Sequence, residues 1–240
     1  MKRKPYMLAT DLDGTLVGDK EGLHSLLRYY EDSHYDVALV YITGRHLVSA
    51  LSLIRAEGLP MPDVLISDVG TVIYTTEWLV EDKEWTKKMQ ADWQPELVVE
   101  LGSSIPALAR QPLPDNRRIS FTTQSDEAVV SQLEKALIED NISHKLIFSS
   151  NRDVDILPAS SGKGQALAYV MDKYAYPDVN VLVAGDSGND VEMLSLGHPS
   201  VIVGNAQAEL ASMEPHPRLY RAAKDCAGGI QEAWIHFYGE

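Results

Sequence analysis

The sequence predicts an α/β fold: a doubly wound, mostly parallel sheet carrying a smaller inserted α+β unit. Three observations predict it. In the first and last thirds of the chain, short continuous apolar runs alternate with segments of helical spacing. The middle third breaks that alternation with amphipathic and half-exposed stretches. Two of the apolar runs end in clustered aspartates, at Asp11-Leu12-Asp13-Gly14-Thr15 and Gly185-Asp186-Ser187-Gly188-Asn189-Asp190. Parallel strands deliver such residues to one crevice at their carboxyl ends.

The elements follow in order. Tyr6 to Thr10 reads as a buried strand, and Gly22 to Tyr30 as a helix with Leu23, Leu26, Leu27 and Tyr30 on one side. Val37 to Thr43 is a second strand, and His46 to Glu57 a helix closed by Gly58. Val64 to Ser67 is a third strand, with Gly70 to Tyr74 as its hairpin partner. Residues 94–112 look helical, Arg117 to Thr123 alternates like a half-exposed strand, and Glu127 to Asn141 is an amphipathic helix. Lys145 to Ser149 and Asp153 to Leu157 read as strands. The final third returns to the first pattern: helix Gly164 to Tyr174, strand Val179 to Ala184, helix Asp190 to Leu196 and strand Ser200 to Val203. The expected division is core 1–81, inserted cap 82–160 and core 161–240, with Pro158 to Gly162 as the return hinge.

A chain of 240 residues is long enough for such a core plus insertion. Its net charge of −14 disfavours nucleic acid and anionic membranes as partners. It also means that a phosphate site must concentrate its basic residues locally. Cys226 is the only cysteine, so no intrachain disulfide forms, in keeping with a reducing compartment. The start, Met1-Lys2-Arg3-Lys4-Pro5, is basic, and the apolar stretch after it ends at Asp11, too short for a signal peptide. The expectation is a cytoplasmic protein, monomeric or weakly homo-oligomeric.

Four segments carry chemistry. Residues i and i+2 of an extended segment face the same way, so Asp11 and Asp13 can share one site, one attacking phosphorus and the other moving a proton. Thr43-Gly44-Arg45 follows a strand, where a hydroxyl and backbone amides can hold a phosphoryl oxygen. Lys163, between Gly162 and Gly164, offers a point charge. The carboxylates of Asp186 and Asp190 and the amide of Asn189 are the hard oxygen donors that magnesium takes. Singly, each has a plainer reading as a turn, a helix cap or a solvated lysine. Their joint occurrence, in this order, is what points to phosphate chemistry. The histidines at 24, 34, 144, 198, 216 and 236 show no metal-ligand spacing, and Trp78, Trp85 and Trp93 read as packing for hinge and cap.

These segments resemble the four motifs of the haloacid dehalogenase superfamily of phosphatases. Val17-Gly18-Asp19, Val69-Gly70-Thr71, the run Ser149 to Pro158, Gly162-Lys163-Gly164 and Val203-Gly204-Asn205-Ala206 narrow the likeness to phosphatases of sucrose phosphate and of mannosylfructose phosphate, over nearly the whole chain. The resemblance implies a Rossmann-like core, a cap, Mg2+ dependence and a phosphorylated disaccharide or similar sugar phosphate as substrate. It implies Asp11 as nucleophile and Asp13 as acid/base, with Thr43 and Lys163 on the phosphate. It implies Asp11, the backbone carbonyl of Asp13, and Asp186 as metal ligands, with Asp190 and Asn189 in support. Arg118, Arg152, Asp153 and Asp155 then lie where the family frames its sugar. The chain departs from the sucrose-phosphate pattern at Gly14, Leu16, His46 and Val72, which places it as near the mannosylfructose-phosphate group. A sugar phosphomutase uses the same aspartyl phosphate and is the rival reading. A non-catalytic sensor is a third, against which the intact Asp11 and Asp13 argue.

Overall fold

A computed structural model describes residues 4–124 and 126–239; the first three residues of the basic start lie outside the described residues. The chain runs β1 (Tyr6–Thr10), α1 (Lys20–Asp32), β2 (Val37–Ile42), α2 (Leu47–Ala56), β3 (Val64–Ser67), β4 (Val72–Thr75), β5 (Val80–Glu81) and α3 (Lys83–Gln90). It then builds α4 (Pro95–Ser103), β6 (Ala109–Arg110), β7 (Ile119–Thr122), α5 (Glu127–Glu139), β8 (Lys145–Ser149) and β9 (Asp153–Leu157). It closes with α6 (Lys163–Tyr174), β10 (Asn180–Gly185), α7 (Val191–Leu194), β11 (Ser200–Ile202), β12 (Leu219–Arg221) and α8 (Cys226–Tyr238).

The large sheet has the order β12-β11-β10-β1-β2-β3-β4-β5. It is parallel from β12 to β3 and antiparallel through β4 and β5. Alternation along β1 explains why both faces need helices: Leu8 packs in a core with α1, α2 and α8, whereas Met7 and Ala9 pack in a second core with α3, α6 and α7. Strand order reverses beside β1, where β2 lies on one side and β10 on the other. Open sheets leave a crevice at such a reversal.

The smaller sheet, β6-β7-β9-β8, is antiparallel and backed by α4 and α5. Val98, Phe121, Leu133, Leu137, Val154 and Ile156 give it a separate core. Asp82, the expected start of the insertion, is the N-cap of α3, accepting hydrogen bonds from the Glu84 and Trp85 amides. Trp85 and Met89 of that helix pack in the core of the large sheet.

Two expected helices are corrected. The stretch 94–112 is helical only to Ser103 and then turns into β6. Asp190 to Leu196 is a 3-10 turn at Gly188–Asp190 followed by the short α7. Of the tryptophans, Trp85 is buried and donates to the Gly70 carbonyl at 3.1 Å, and Trp93 packs on the core of the smaller sheet, but Trp78 is exposed. Among the described residues, no helix is long and apolar enough to cross a membrane.

Candidate active site

β1 carries Asp11 to the crevice, where its backbone amide donates to the Ala184 carbonyl of β10 at 3.1 Å. The chain then turns sharply through Gly14, whose φ of +78° is left-handed. The Asn205 side chain fastens this turn, donating from Nδ2 to the Gly14 carbonyl at 2.8 Å and accepting the Cys226 amide at 2.8 Å. Thr15 Oγ1 donates to Asp186 Oδ1 at 3.1 Å, which joins the first aspartate loop to the second.

Lys163, the first residue of α6, is buried between two carboxylates. Its Nζ donates to Asp11 Oδ1 and to Asp190 Oδ1, each at 2.7 Å. The other oxygen of Asp190 accepts the amides of Asp186 at 3.0 Å and Ser187 at 3.1 Å, so Asp190 also ties its own loop. Asp11, Asp186 and Asp190 bring ligand oxygens within 4.8 Å of one another, the only such group of His, Cys, Asp and Glu among the described residues.

The charges are unbalanced: three carboxylates share one ammonium. Burial pushes the Asp11 carboxyl up to about 8, with Lys163 opposing and Asp190 and Asp186 reinforcing the rise. Burial, with Asp190 beside it, pushes Asp186 up to about 6. Burial alone lowers a lysine, but Asp11 and Asp190 outweigh it and hold Lys163 above its ordinary value. Hard oxygen donors carrying excess negative charge are what a divalent cation requires, so the residues present fit a metal.

Asp13 lies apart from this cluster. Its carboxylate accepts both arms of Arg45, Nε on Oδ2 and Nη2 on Oδ1, each at 2.7 Å, and Arg45 Nη1 donates to Ser49 Oγ at 2.9 Å. Thr43 is fully buried, and its Oγ1 accepts the Arg45 amide at 3.1 Å. The turn after β3 supports Thr43 from below. Asp68, Val69 and Gly70 all have positive φ, +51°, +56° and +92°, a strained run for a β-branched residue. It is held by the Asp68 amide on the Arg45 carbonyl at 2.9 Å and the Val69 amide on the Thr43 carbonyl at 3.1 Å. Gly70 cannot be substituted: a Cβ there would lie 2.3 Å from the Gly162 carbonyl oxygen.

A cleft of about 530 Å³ opens above these residues, with the smaller unit as its roof. Asp11, Asp13, Arg45, Asp186 and Asn189 line the floor, and Arg118, Arg152, Asp153 and Asp155 the roof. Thr43 and Lys163 sit beneath the surface. Arg152 is exposed and paired with Asp153 at 2.9 Å, while Asp155 is tied to Arg118. Sequence reasoning did not single out Gln111, whose Nε2 donates to Asp153 Oδ1 at 3.0 Å, because it took that stretch for helix. It also passed over Glu209, whose carboxylate accepts amides from Gly188 in the core and Ser150 in the roof. No local pattern marks that residue, since both partners are backbone groups distant in sequence.

Comparison with known proteins bears on this cleft. A family model described as sucrose-6F-phosphate phosphohydrolase matches residues 4–238. Probable sucrose-phosphatase 2 of Arabidopsis thaliana is 36% identical over 250 residues, which is 96% of this chain and 59% of that protein; the chain thus spans about three-fifths of the plant relative's length. Mannosylfructose-phosphate phosphatase of Agrobacterium fabrum is 30% identical over 238 residues, 96% of each chain. The crystal structure of the Synechocystis sucrose-phosphatase in complex with sucrose and phosphate is similar with a TM-score of 0.90, 36% identity and 98% coverage of both chains. A haloacid dehalogenase-like hydrolase of Bacillus subtilis, 21% identical with a TM-score of 0.67 over 100% of this chain and 94% of its own, shares the fold.

Proposed function

The chain belongs to the sucrose-6F-phosphate phosphohydrolase family, and from that premise we propose that it is a magnesium-dependent phosphatase of a phosphorylated disaccharide, sucrose 6-phosphate or a close glycoside phosphate such as mannosylfructose phosphate. The observation that carries the proposal is Asp11: a buried carboxylate on the cleft floor, 2.7 Å from Lys163, with Asp13 two residues on at the cleft surface. A binding module has no need of such a nucleophile.

In this reading Asp11 attacks phosphorus, forming a P–O bond to its carboxylate while the bond from phosphorus to the sugar oxygen breaks. Asp13, protonated at this stage, gives its proton to the leaving oxygen. The resulting Asp13 carboxylate then takes a proton from water, and the water oxygen attacks the aspartyl phosphate. Inorganic phosphate leaves and Asp11 is regenerated. Lys163 and the Thr43 turn hold phosphoryl oxygens, and Lys163 lets one anion approach another. In this structure Arg45 holds both Asp13 oxygens; in the reacting state one of them turns from Arg45 to the leaving oxygen and carries the proton, while the other stays on Arg45. Magnesium would be held by Asp11, Asp186 and the Asp13 carbonyl with Asp190 behind them, and when bound it supplies charge neutralisation of the transferring phosphoryl group.

The smaller unit acts as a cap that excludes water and reads the sugar with Arg152, Asp153 and their neighbours. Because Trp85 and Met89 anchor α3 in the core, the moving part begins after Gln90. The protein works as a cytoplasmic monomer or weak homo-oligomer.

A phosphate-release screen tests the reading, using sucrose 6-phosphate, mannosylfructose phosphate, glucosylglycerate phosphates and hexose phosphates with magnesium. The expected result is preference for a disaccharide ester, release of inorganic phosphate without a bisphosphate activator, and no turnover by Asp11→Asn. Dependence on a bisphosphate would move the assignment to a phosphomutase, and a turning-over Asn variant would remove Asp11 as nucleophile.

A further inference from the structure

Arg118 stands at the head of β7 in the cap, and its side chain crosses to the core. On the cap side Nη1 donates to Ser120 Oγ at 2.6 Å and to Asp155 Oδ1 at 2.5 Å, and Ser120 donates to the same Asp155 oxygen. On the core side Nη2 donates to the Gly44 carbonyl at 2.7 Å, and Nε faces Asp68 Oδ1 at 3.5 Å. The residue is 8% exposed, and Asp68 and Asp155 are buried with it. One guanidinium therefore bridges two buried carboxylates, one on each side of the cleft.

Its core partners are not arbitrary. Gly44 lies within the Thr43-Gly44-Arg45 turn, and Asp68 opens the strained run that supports it. The Asp68 and Val69 amides hold the Arg45 and Thr43 carbonyls, and Gly70 packs directly on Gly162 and the Lys163 amide. Force applied at Asp68 and Gly44 thus reaches both residues placed on the phosphate. A planar, forked cation can meet all these acceptors at once, which a lysine ammonium cannot.

We propose that Arg118 and Asp68 are a positioning pair that latches the cap onto the phosphate-binding turn, so that Arg118 acts on core backbone and a core carboxylate rather than on the sugar. The latch rests on the reading of this cleft as a phosphoester site. When the cap opens, Arg118 leaves Gly44 and Asp68, and the turn loses the contacts that hold it from above. When the cap closes, the same contacts set Thr43 and, through Gly70, Lys163. Cap position and phosphate-site geometry become one event.

The test measures cap position directly. Spin labels at Val48→Cys on α2 and Ile138→Cys on α5, both exposed, report the cap–core distance in the full chain, while Cys226 is buried. Distances are taken by electron–electron double resonance without ligand, and with magnesium and beryllium fluoride. Arg118→Met should lower the closed-to-open ratio roughly tenfold or more, the worth of one hydrogen bond to a charged group. Asp68→Asn should shift it the same way by less, and the double variant should fall no further than Arg118→Met. With the preferred ester, kcat should fall with the closed fraction. An unchanged distance distribution in Arg118→Met, with only KM raised, would overturn the latch and leave Arg118 a sugar contact; a silent Asp68→Asn would overturn it as well. Should Arg118→Met fail to fold, Arg118→Lys and Asp68→Asn give the same readout. The distances need no turnover, so the latch and the phosphatase reading fail separately.

Discussion

Replacing Lys163 with Met removes the ammonium that Asp11 and Asp190 share at 2.7 Å, while nearly keeping its volume. Three carboxylates then face one another in a buried site with no cation among them. Leaving the partners of a buried ion pair uncompensated costs about 3–5 kcal/mol. For a chain of this size each kcal/mol moves Tm by roughly 2–4 °C, so the metal-free variant should melt about 6–20 °C below wild type at pH 8. The penalty should depend on pH in a definite direction. Asp11 and Asp186 already sit at about 8 and about 6, against 3.8 for a free aspartate, and both rise further without Lys163. A carboxyl raised in the folded state binds its proton more tightly there. The stability it contributes is complete below the unfolded value and is lost as pH climbs through the folded one. Lys163 itself, raised above 10.5, stays charged in wild type across this range, so its own titration adds no slope. The penalty should therefore be small at pH 5 and largest at pH 8. Urea unfolding of both proteins in chelator at pH 5, 6.5 and 8 measures it. A penalty that is flat with pH, or below about 1 kcal/mol at pH 8, refutes the claim that this lysine holds the cluster together.

The same imbalance sets what metal binding at this cluster should do. Wild-type protein in chelator should lose stability between pH 5 and 8 as Asp11 and Asp186 give up protons, and saturating magnesium should flatten that slope. Magnesium binding at pH 7 should release protons and release almost none above pH 9, as read by calorimetry in two buffers of different ionisation enthalpy; equal release at both pH values would place the metal elsewhere. On the cap side, Arg152→Ala or Asp153→Ala should cut kcat/KM on the preferred disaccharide phosphate roughly ten- to a hundredfold, the cost of leaving a buried hydroxyl partner unsatisfied. Hydrolysis of p-nitrophenyl phosphate, which barely reaches the cap, should stay near wild type, and equal losses on both substrates would assign these residues to folding or closure.

Legibility in the sequence followed the range of the interaction. The parallel core was readable because β1, β2, β3 and β10 are buried on both faces, and such strands appear as continuous apolar runs. The aspartate clusters and Lys163 were readable because each follows a strand or opens a helix. α8 left no such trace: Gly228 and Gly229 near its start speak against a helix, and tertiary packing explains them, Gly228 against α1 and Gly229 against Val203, Ala222 and the Lys224 carbonyl. A Cβ on Gly22 of α1 would lie 2.8 Å from the Gly228 amide, so the two helices meet backbone to backbone. β6 has two exposed residues and no periodicity to detect, and with it went Gln111 on the cleft wall. His46, a departure from the sucrose-phosphate pattern, turned out to cap α2, its ring accepting the Ser49 amide at 3.4 Å.

The residues that join cap to core were the hardest to foresee, for a physical reason. Glu209 accepts the amides of Gly188 and Ser150, and Arg118 donates to the Gly44 carbonyl. Backbone groups carry no residue identity, so a side chain that recognises them leaves no complementary signal at the partner position. Chemistry at phosphorus demands particular side chains at particular offsets, and it can be read along the chain. Closure demands only that some donor reach some carbonyl across a gap, and many sequences satisfy that. The same argument explains why the sugar was less legible than the phosphate. Its proposed walls are the polar faces of short strands in the smaller sheet, where Asp153 and Asp155 alternate with the apolar Val154 and Ile156 as in any half-buried sheet. Under the proposed latch, the direction of Arg118 separates the polar residues that would face substrate from those that would hold the cap shut. The distance measurement on Arg118→Met and Asp68→Asn therefore bears on specificity as much as on motion: if Arg118 is committed to the core, Gln111, Arg152 and Asp153 are the lining residues expected to read the sugar.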